Sequence, residues 1–239
     1  NKNMLTGNYC HYNELTKYAV ATDSAVAVDY SQGDSLFLHG DTLQLFTFFL
    51  DTDSMYRETR AYHKVRFFRT DVQGVCDSLV FSTKDSCLTM YRDPILWNGN
   101  QQLLGEEVMV YMNDSTIDWA HIHNQTLSVE KLDSVNYNQV TGKDMKAYFT
   151  NGEMHRVDVI GSVRVIYYPM EKDSTLMGMN VMEGGELNMY LENRKLTRGV
   201  MFPQPKGTFY PMDQLPPKQM KLDNFAWFDY IRPLNKQDI

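Results

Sequence analysis

The pair His121-Ile122-His123 is the arrangement in this chain best suited to chemistry. On a strand, residues two apart point the same way, so both imidazoles would share one face and approach one metal ion, as in cupin barrels. Such a site also needs a carboxylate a few residues on and a further histidine. Glu130 is too distant, and alternation from Leu127 to Val129 turns it to the other face. The expectation is two exposed strand histidines and no metal. Asp51 with Asp53, Asp158 with Glu171, and Glu106 with Glu107 have the composition of acid–base couples. Nothing in the sequence gathers any pair in a cleft. Asp85-Ser86-Cys87 lacks the Gly-x-Ser-x-Gly elbow of hydrolases, and Gly184-Gly185 lacks a following helix to hold phosphate. No catalytic residue and no cofactor is expected, so the chain reads as non-enzymatic.

The three cysteines, Cys10, Cys76 and Cys87, allow at most one internal bridge. A hairpin centred near Lys84 sets Cys87 opposite Phe81 rather than Cys76, which argues against a bridge between the two. No Cys-x-x-Cys is present, which removes zinc ribbons and thioredoxin-type redox chemistry.

The elements that carry these residues are strands. Val157 to Tyr167 alternates apolar residues with Asp158, Ser162 and Arg164, the rhythm of a sheet with one buried face. The same rhythm runs through Leu127-Ser128-Val129-Glu130, Leu187 to Leu191, and Leu36-Phe37-Leu38 followed by Leu43-Gln44-Leu45. Turn formers separate the runs: His39-Gly40-Asp41, Thr83-Lys84-Asp85, Asn113-Asp114-Ser115, Asn151-Gly152 and Glu183-Gly184-Gly185. Asn151-Gly152 is the strongest hairpin signal, because both residues tolerate positive φ. Segments beginning at Gly33, Cys76, Gly105 and Gly142 resemble one another and each is expected to start a strand. Tyr12 to Ala21 has near-helical spacing, but the run continues through Val26 and Val28 as a strand, which is the reading preferred.

Five of the eight prolines fall between Pro203 and Pro217. That stretch cannot be a central strand and is expected to wrap the body as a loop, with Trp227, Phe228 and Tyr230 docking as an aromatic plug. No linker is evident, so one domain over 1–239 is expected, with 203–239 as a tail packed on it.

With 30 acidic and 23 basic residues the net charge is -7, which disfavours a nucleic-acid surface and gives no pull toward anionic membranes. No apolar run approaches the ~20 residues of a membrane-spanning helix. The chain opens in polar sequence at Asn1-Lys2-Asn3 and reads as a processed or truncated piece. The 15 methionines, Met145, Met179, Met182 and Met189 among them, suit ordinary core filling or an apolar channel that adapts to flexible hydrocarbon.

Several stretches carry a resemblance to a known family: 33–43, 71–79, Met90-Tyr91-Arg92-Asp93-Pro94-Ile95-Leu96-Trp97, 136–143, 161–168, and Phe225-Ala226-Trp227 through Arg232-Pro233. In this ordered series, which spans nearly the whole chain, the sequence resembles the OstA-like proteins of the Bacteroidetes type. These are relatives of the periplasmic lipopolysaccharide-transport protein LptA and of the N-terminal part of LptD. The resemblance implies an elongated, antiparallel twisted β-jelly-roll, or β-taco. It also implies a periplasmic location in a Gram-negative envelope and transport of lipid A acyl chains toward the outer membrane. A full-length member would carry a signal peptide and further repeats ahead of Asn1. Implied partners are lipopolysaccharide and other OstA or Lpt-type modules joined end to end by strand addition.

The physics is compatible with that reading. Exposing a methylene costs about 0.8 kcal/mol, so an acyl chain of ~12 carbons costs on the order of 10 kcal/mol to leave in water. A sheet with one apolar face offers a trough. Its expected lining is Leu127, Val129, Val157, Val159, Val163, Val165, Tyr167, Leu187, Met189 and Leu191. The alternative is a structural or adhesive envelope module with a closed core, because alternation does not say whether the trough is filled.

Overall fold

The structure is a computed structural model that describes residues 3–30, 34–113, 116–193 and 195–239. Gly33, Asn1-Lys2 and the Asp114-Ser115 part of one expected turn lie outside the described residues. The chain is all-β, and its regular helix is limited to three single 3₁₀ turns among the described residues.

The first strands are β1 (Asn3–Thr6), β2 (Tyr9–Asn13), β3 (Tyr18–Asp29), β4 (Leu36–Phe48), β5 (Tyr56–Phe68) and β6 (Gln73–Ser82). Short strands follow: β7 (Cys87–Tyr91), β8 (Ile95–Asn98), β9 (Gln101–Leu104) and β10 (Glu107–Asn113). The later ones are β11 (Thr116–Lys131), β12 (Tyr137–Thr150), β13 (Glu153–Tyr167), β14 (Gly178–Glu192), β15 (Lys195–Phe202) and β16 (Lys206–Pro211). By contacts the chain forms two compact units. One holds Asn1–Gly99, Glu107–Thr116 and Asp229–Ile239; the other holds Asn100–Glu106 and Ile117–Phe228.

In the first unit the antiparallel order is β1-β3-β4-β5-β6-β7-β10, with β2 also on β3 and β8 also on β6. Its core includes Ala21, Ala25, Leu43, Ala61, Val65, Met90, Trp97 and Val108, all at 0–1% exposure. Tyr12 to Ala21 is neither a helix nor the single strand preferred from sequence: β2 ends at Asn13, 14–17 is a turn, and β3 begins at Tyr18. The side chain of Asn13 accepts the N–H groups of Leu15 and Thr16 and reverses the chain between β2 and β3. In the second unit the order is β9-β11-β12-β13-β14-β15, with β16 also on β14.

The Asn151-Gly152 hairpin forms as its residues require. Both have positive φ (53° and 77°), and Thr150 pairs with Glu153. At Lys84 the loop is one residue off expectation: Ser82, not Phe81, opposes Cys87. Segments 76–79 and 142–145 do not start strands; they lie within β6 and β12, where the pairing shifts register. The proline-rich stretch is only partly loop, because Lys206–Pro211 adds to β14 as an edge strand, a place where proline is tolerated. Of the expected plug, Trp227 packs into the core of the second unit, joined there by Phe225, whereas Tyr230 is 81% exposed.

Cys76 and Cys87 are buried and unbridged, and Cys10 is exposed. Burial pushes the Cys76 thiol up to about 12, far from the thiolate range at neutral pH. Maleimide labelling of the native protein is expected to modify Cys10 alone, and all three cysteines after denaturation. Rapid native labelling of Cys76 would contradict this core.

Candidate apolar site and the tail that covers its other side

Four strands carry the same local device. Two consecutive residues with positive φ interrupt the ladder: Asp23-Ser24 in β3, His63-Lys64 in β5, Asn124-Gln125 in β11 and Gly161-Ser162 in β13. Register shifts occur at each of them. Each pair is flanked by residues at 0% exposure: Ala21 and Ala25, Ala61 and Val65, Ile122 and Thr126, Val159 and Val163. An extra residue bends a strand and increases its twist. These kinks therefore redirect the strand while both flanking side chains stay buried.

The kinks define two sides of the sheet in the second unit. Ile122, Met145, Val159 and Leu187 are register partners on successive strands and are buried together. Ala120, Ala147, Val157 and Met189 form the next row. Past the kink the same side continues through Val163 and Gly184, then Val140, Val165 and Met182. Close approach requires glycine at Gly142, where a Cβ would stand 2.6 Å from Cγ1 of Val159. Val157, Val159, Val163, Val165, Leu187 and Met189 thus share one apolar side. Tyr167 and Leu191, half-buried, continue its alternation at the ends of β13 and β14.

Leu127 and Val129 face the other way. Their partner rows are Leu127–Thr141–Arg164 and Val129–Gln139–Ile166. There they join a cluster with Tyr168, Met179 and Leu222, closed by Leu215, Met220, Phe225 and Trp227 from the tail. The sequence marked Met145 only as one of the methionines suited to core or channel and did not single out Ile122 for this side, because each sits alone between polar neighbours in its own strand. Only the pairing of β11 with β12 aligns them with Val159.

Nor did the sequence single out the glutamines that fasten the tail. Gln139, fully buried, donates to the carbonyl of Met220 (2.9 Å) and accepts from the N–H of Leu222 (2.9 Å). Gln102, equally buried, does the same with the carbonyl of Ala226 and the N–H of Phe228. Asn224 donates to Thr141, and Arg164 pairs with Asp223 at 2.6 Å. An extended segment lying on a sheet must have its backbone groups satisfied, and a primary amide serves one donor and one acceptor at once.

The pairs singled out from sequence are engaged or exposed. Asp158 accepts from Arg156 (2.8 Å) and Asn188 (2.6 Å), Glu106 holds Asn124 and Gln125, and Asp51 and Asp53 are exposed turn residues. His121 and His123 are half-buried rather than exposed, and Asp144 of β12 is their shared partner. Burial raises the affinity of Asp144 for a proton. Hydrogen bonds from His123, His121 and the Asn124 backbone, with the His123 charge, outweigh it and hold this carboxyl below its usual range.

Fold and site together define an antiparallel all-β protein whose second unit buries an apolar stripe on one side of a kinked sheet and a strapped tail on the other. Among solved structures the chain is similar to LptH from Pseudomonas aeruginosa, the LptA homologous periplasmic component of the conserved lipopolysaccharide transport device. The similarity has a TM-score of 0.42 and 16% identity, covering 58% of this chain and 92% of that one. No protein-family profile and no curated protein matches the chain.

Replacing Gln139 by Leu is expected to lower stability by about 1–3 kcal/mol, since it strands the carbonyl of Met220 and the N–H of Leu222. The urea midpoint should fall with little change in slope. An unchanged midpoint would show that the tail is not fastened here.

Proposed function

We propose that this chain is a non-enzymatic carrier module that binds acyl chains of lipopolysaccharide and passes them across the periplasm toward the outer membrane. The observation that carries the reading is the apolar stripe of Ile122, Met145, Val159 and Leu187, continued past the kink by Val163 and Val165. Flexible methionines, Met145, Met182, Met189 and Met201, border it on β12, β14 and β15 and let its width adapt to hydrocarbon. The stripe runs out toward β15, where most side chains are exposed and Leu196, the register partner of Leu191, offers apolar surface at 39% exposure. The ordered sequence resemblance to OstA-like proteins supports the same reading. Within this proposal the lipid-facing residues are Val157, Val159, Val163, Val165, Tyr167, Leu187, Met189 and Leu191. Leu127 and Val129 are assigned instead to the tail-covered cluster. Among the described residues β15 pairs with β14 and no other strand, and it serves as the place where another module adds a strand.

A second reading, a structural or adhesive envelope module with a closed core, is favoured by the 0% exposure of Ile122, Val159 and Val163. The two differ in whether the stripe opens to lipid. A photo-crosslinking residue at Val159 or Val165 is expected to capture lipopolysaccharide in cells, whereas one at exposed Glu183 is not. Capture at Glu183 alone, or at none of the three in a folded protein, leaves the closed-core module standing.

A further inference from the structure

The side of β11 and β12 opposite the apolar stripe carries a cluster that the carrier function does not use. Nε2 of His121 lies 3.3 Å from Oδ1 of Asp144, and Nδ1 of His123 lies 2.5 Å from the same oxygen. The three donor atoms all fall within 4.8 Å of one another. Around a tetrahedral zinc ion with bonds of about 2.0–2.2 Å, neighbouring donors stand about 3.3–3.6 Å apart. His121 and Asp144 already have that separation. His123 must draw back by about 1 Å to reach it, a motion open to a side chain that is 43% exposed.

We propose that His121, His123 and Asp144 form a binding site for one transition-type divalent cation, zinc above all, with a remaining coordination position open to water. The backbone places the donors. Histidines two apart on β11 point the same way, and Asp144 is the register partner of His123 on β12. Two imidazoles and one carboxylate suit a borderline ion such as zinc, whereas calcium and magnesium take mainly oxygen ligands. The location adds a reason for the ion. The ladder between β11 and β12 is interrupted just past His123, at the kink of Asn124 and Gln125. A cation held by both strands ties them together where backbone pairing lapses.

The test uses the full chain, freed of metal by a chelator and titrated with zinc chloride by calorimetry. One equivalent is expected to bind in the presence of excess calcium and magnesium, and the thermal midpoint should rise with zinc. H123Q and D144N, each close in size to the native residue, should weaken binding by more than the roughly 10–100-fold that losing an outer-shell partner costs. H63Q removes the exposed His63–Asp77 pair and should change nothing. Absence of stoichiometric uptake, or uptake indifferent to H121Q, H123Q and D144N, overturns the site. Should a variant fail to fold, imidazole resonances of the unaltered chain decide the matter. Zinc-dependent shifts at His121 and His123 support the proposal, and shifts confined to His11, His39, His63 or His155 overturn it.

Discussion

The paired left-handed residues within the strands are the constraint on which the rest depends. A non-glycine residue in that conformation costs roughly 1–2 kcal/mol, and seven of the eight residues at the four kinks are not glycine. The cost is tolerated because each kink leaves two fully buried side chains on either side of it. In the second unit the kinks of β11 and β13 fall at neighbouring positions, with Gly142 of β12 between them. The sheet therefore bends along a line rather than at a point. Gly142 is small because Val159 crosses its position, and Thr126 donates to its carbonyl at 3.1 Å.

This bend sorts the chemistry of the second unit. One side is apolar on both halves of the strands. The other changes character at the kink. Before it lie His121, His123, Asp144, Lys146 and Asp158, and after it lie Leu127, Val129 and Ile166 under the tail. The polar half carries its own lateral order, since Trp119, Tyr148, Arg156, Tyr190 and Arg198 are register partners across five strands. The Arg156 guanidinium lies over the rings of both Tyr148 and Tyr190.

The tail is fastened by a different principle. It carries few ladder bonds after β16, and buried amides of the sheet take their place. Gln102 and Gln139 each grip one carbonyl and one N–H of the tail, and in the first unit Gln73 receives two hydrogen bonds from Arg232. In the second unit Leu222, Phe225 and Trp227 pack into the apolar cluster beside these bonds, and Gln102 and Gln139 are themselves at 0% exposure, a setting in which hydrogen bonds are stronger than in water.

Alternation in the sequence determined that the chain is antiparallel β, and Asn151-Gly152 determined one hairpin, because period and turn chemistry are local properties. It also marked Val157, Val159, Val163, Val165 and Leu187 as buried. Only the tertiary structure decided which buried residues share a side. Leu127 and Val129 obey the same alternation as Val163 and Val165, yet cross-strand register turns them to opposite faces. The kinks were not legible, because Asp23-Ser24 or Asn124-Gln125 reads as ordinary polar residues of a strand. The same holds for the histidine cluster. His121 and His123 were visible as a pair, but their carboxylate lies on the neighbouring strand, brought there by pairing that no single segment encodes.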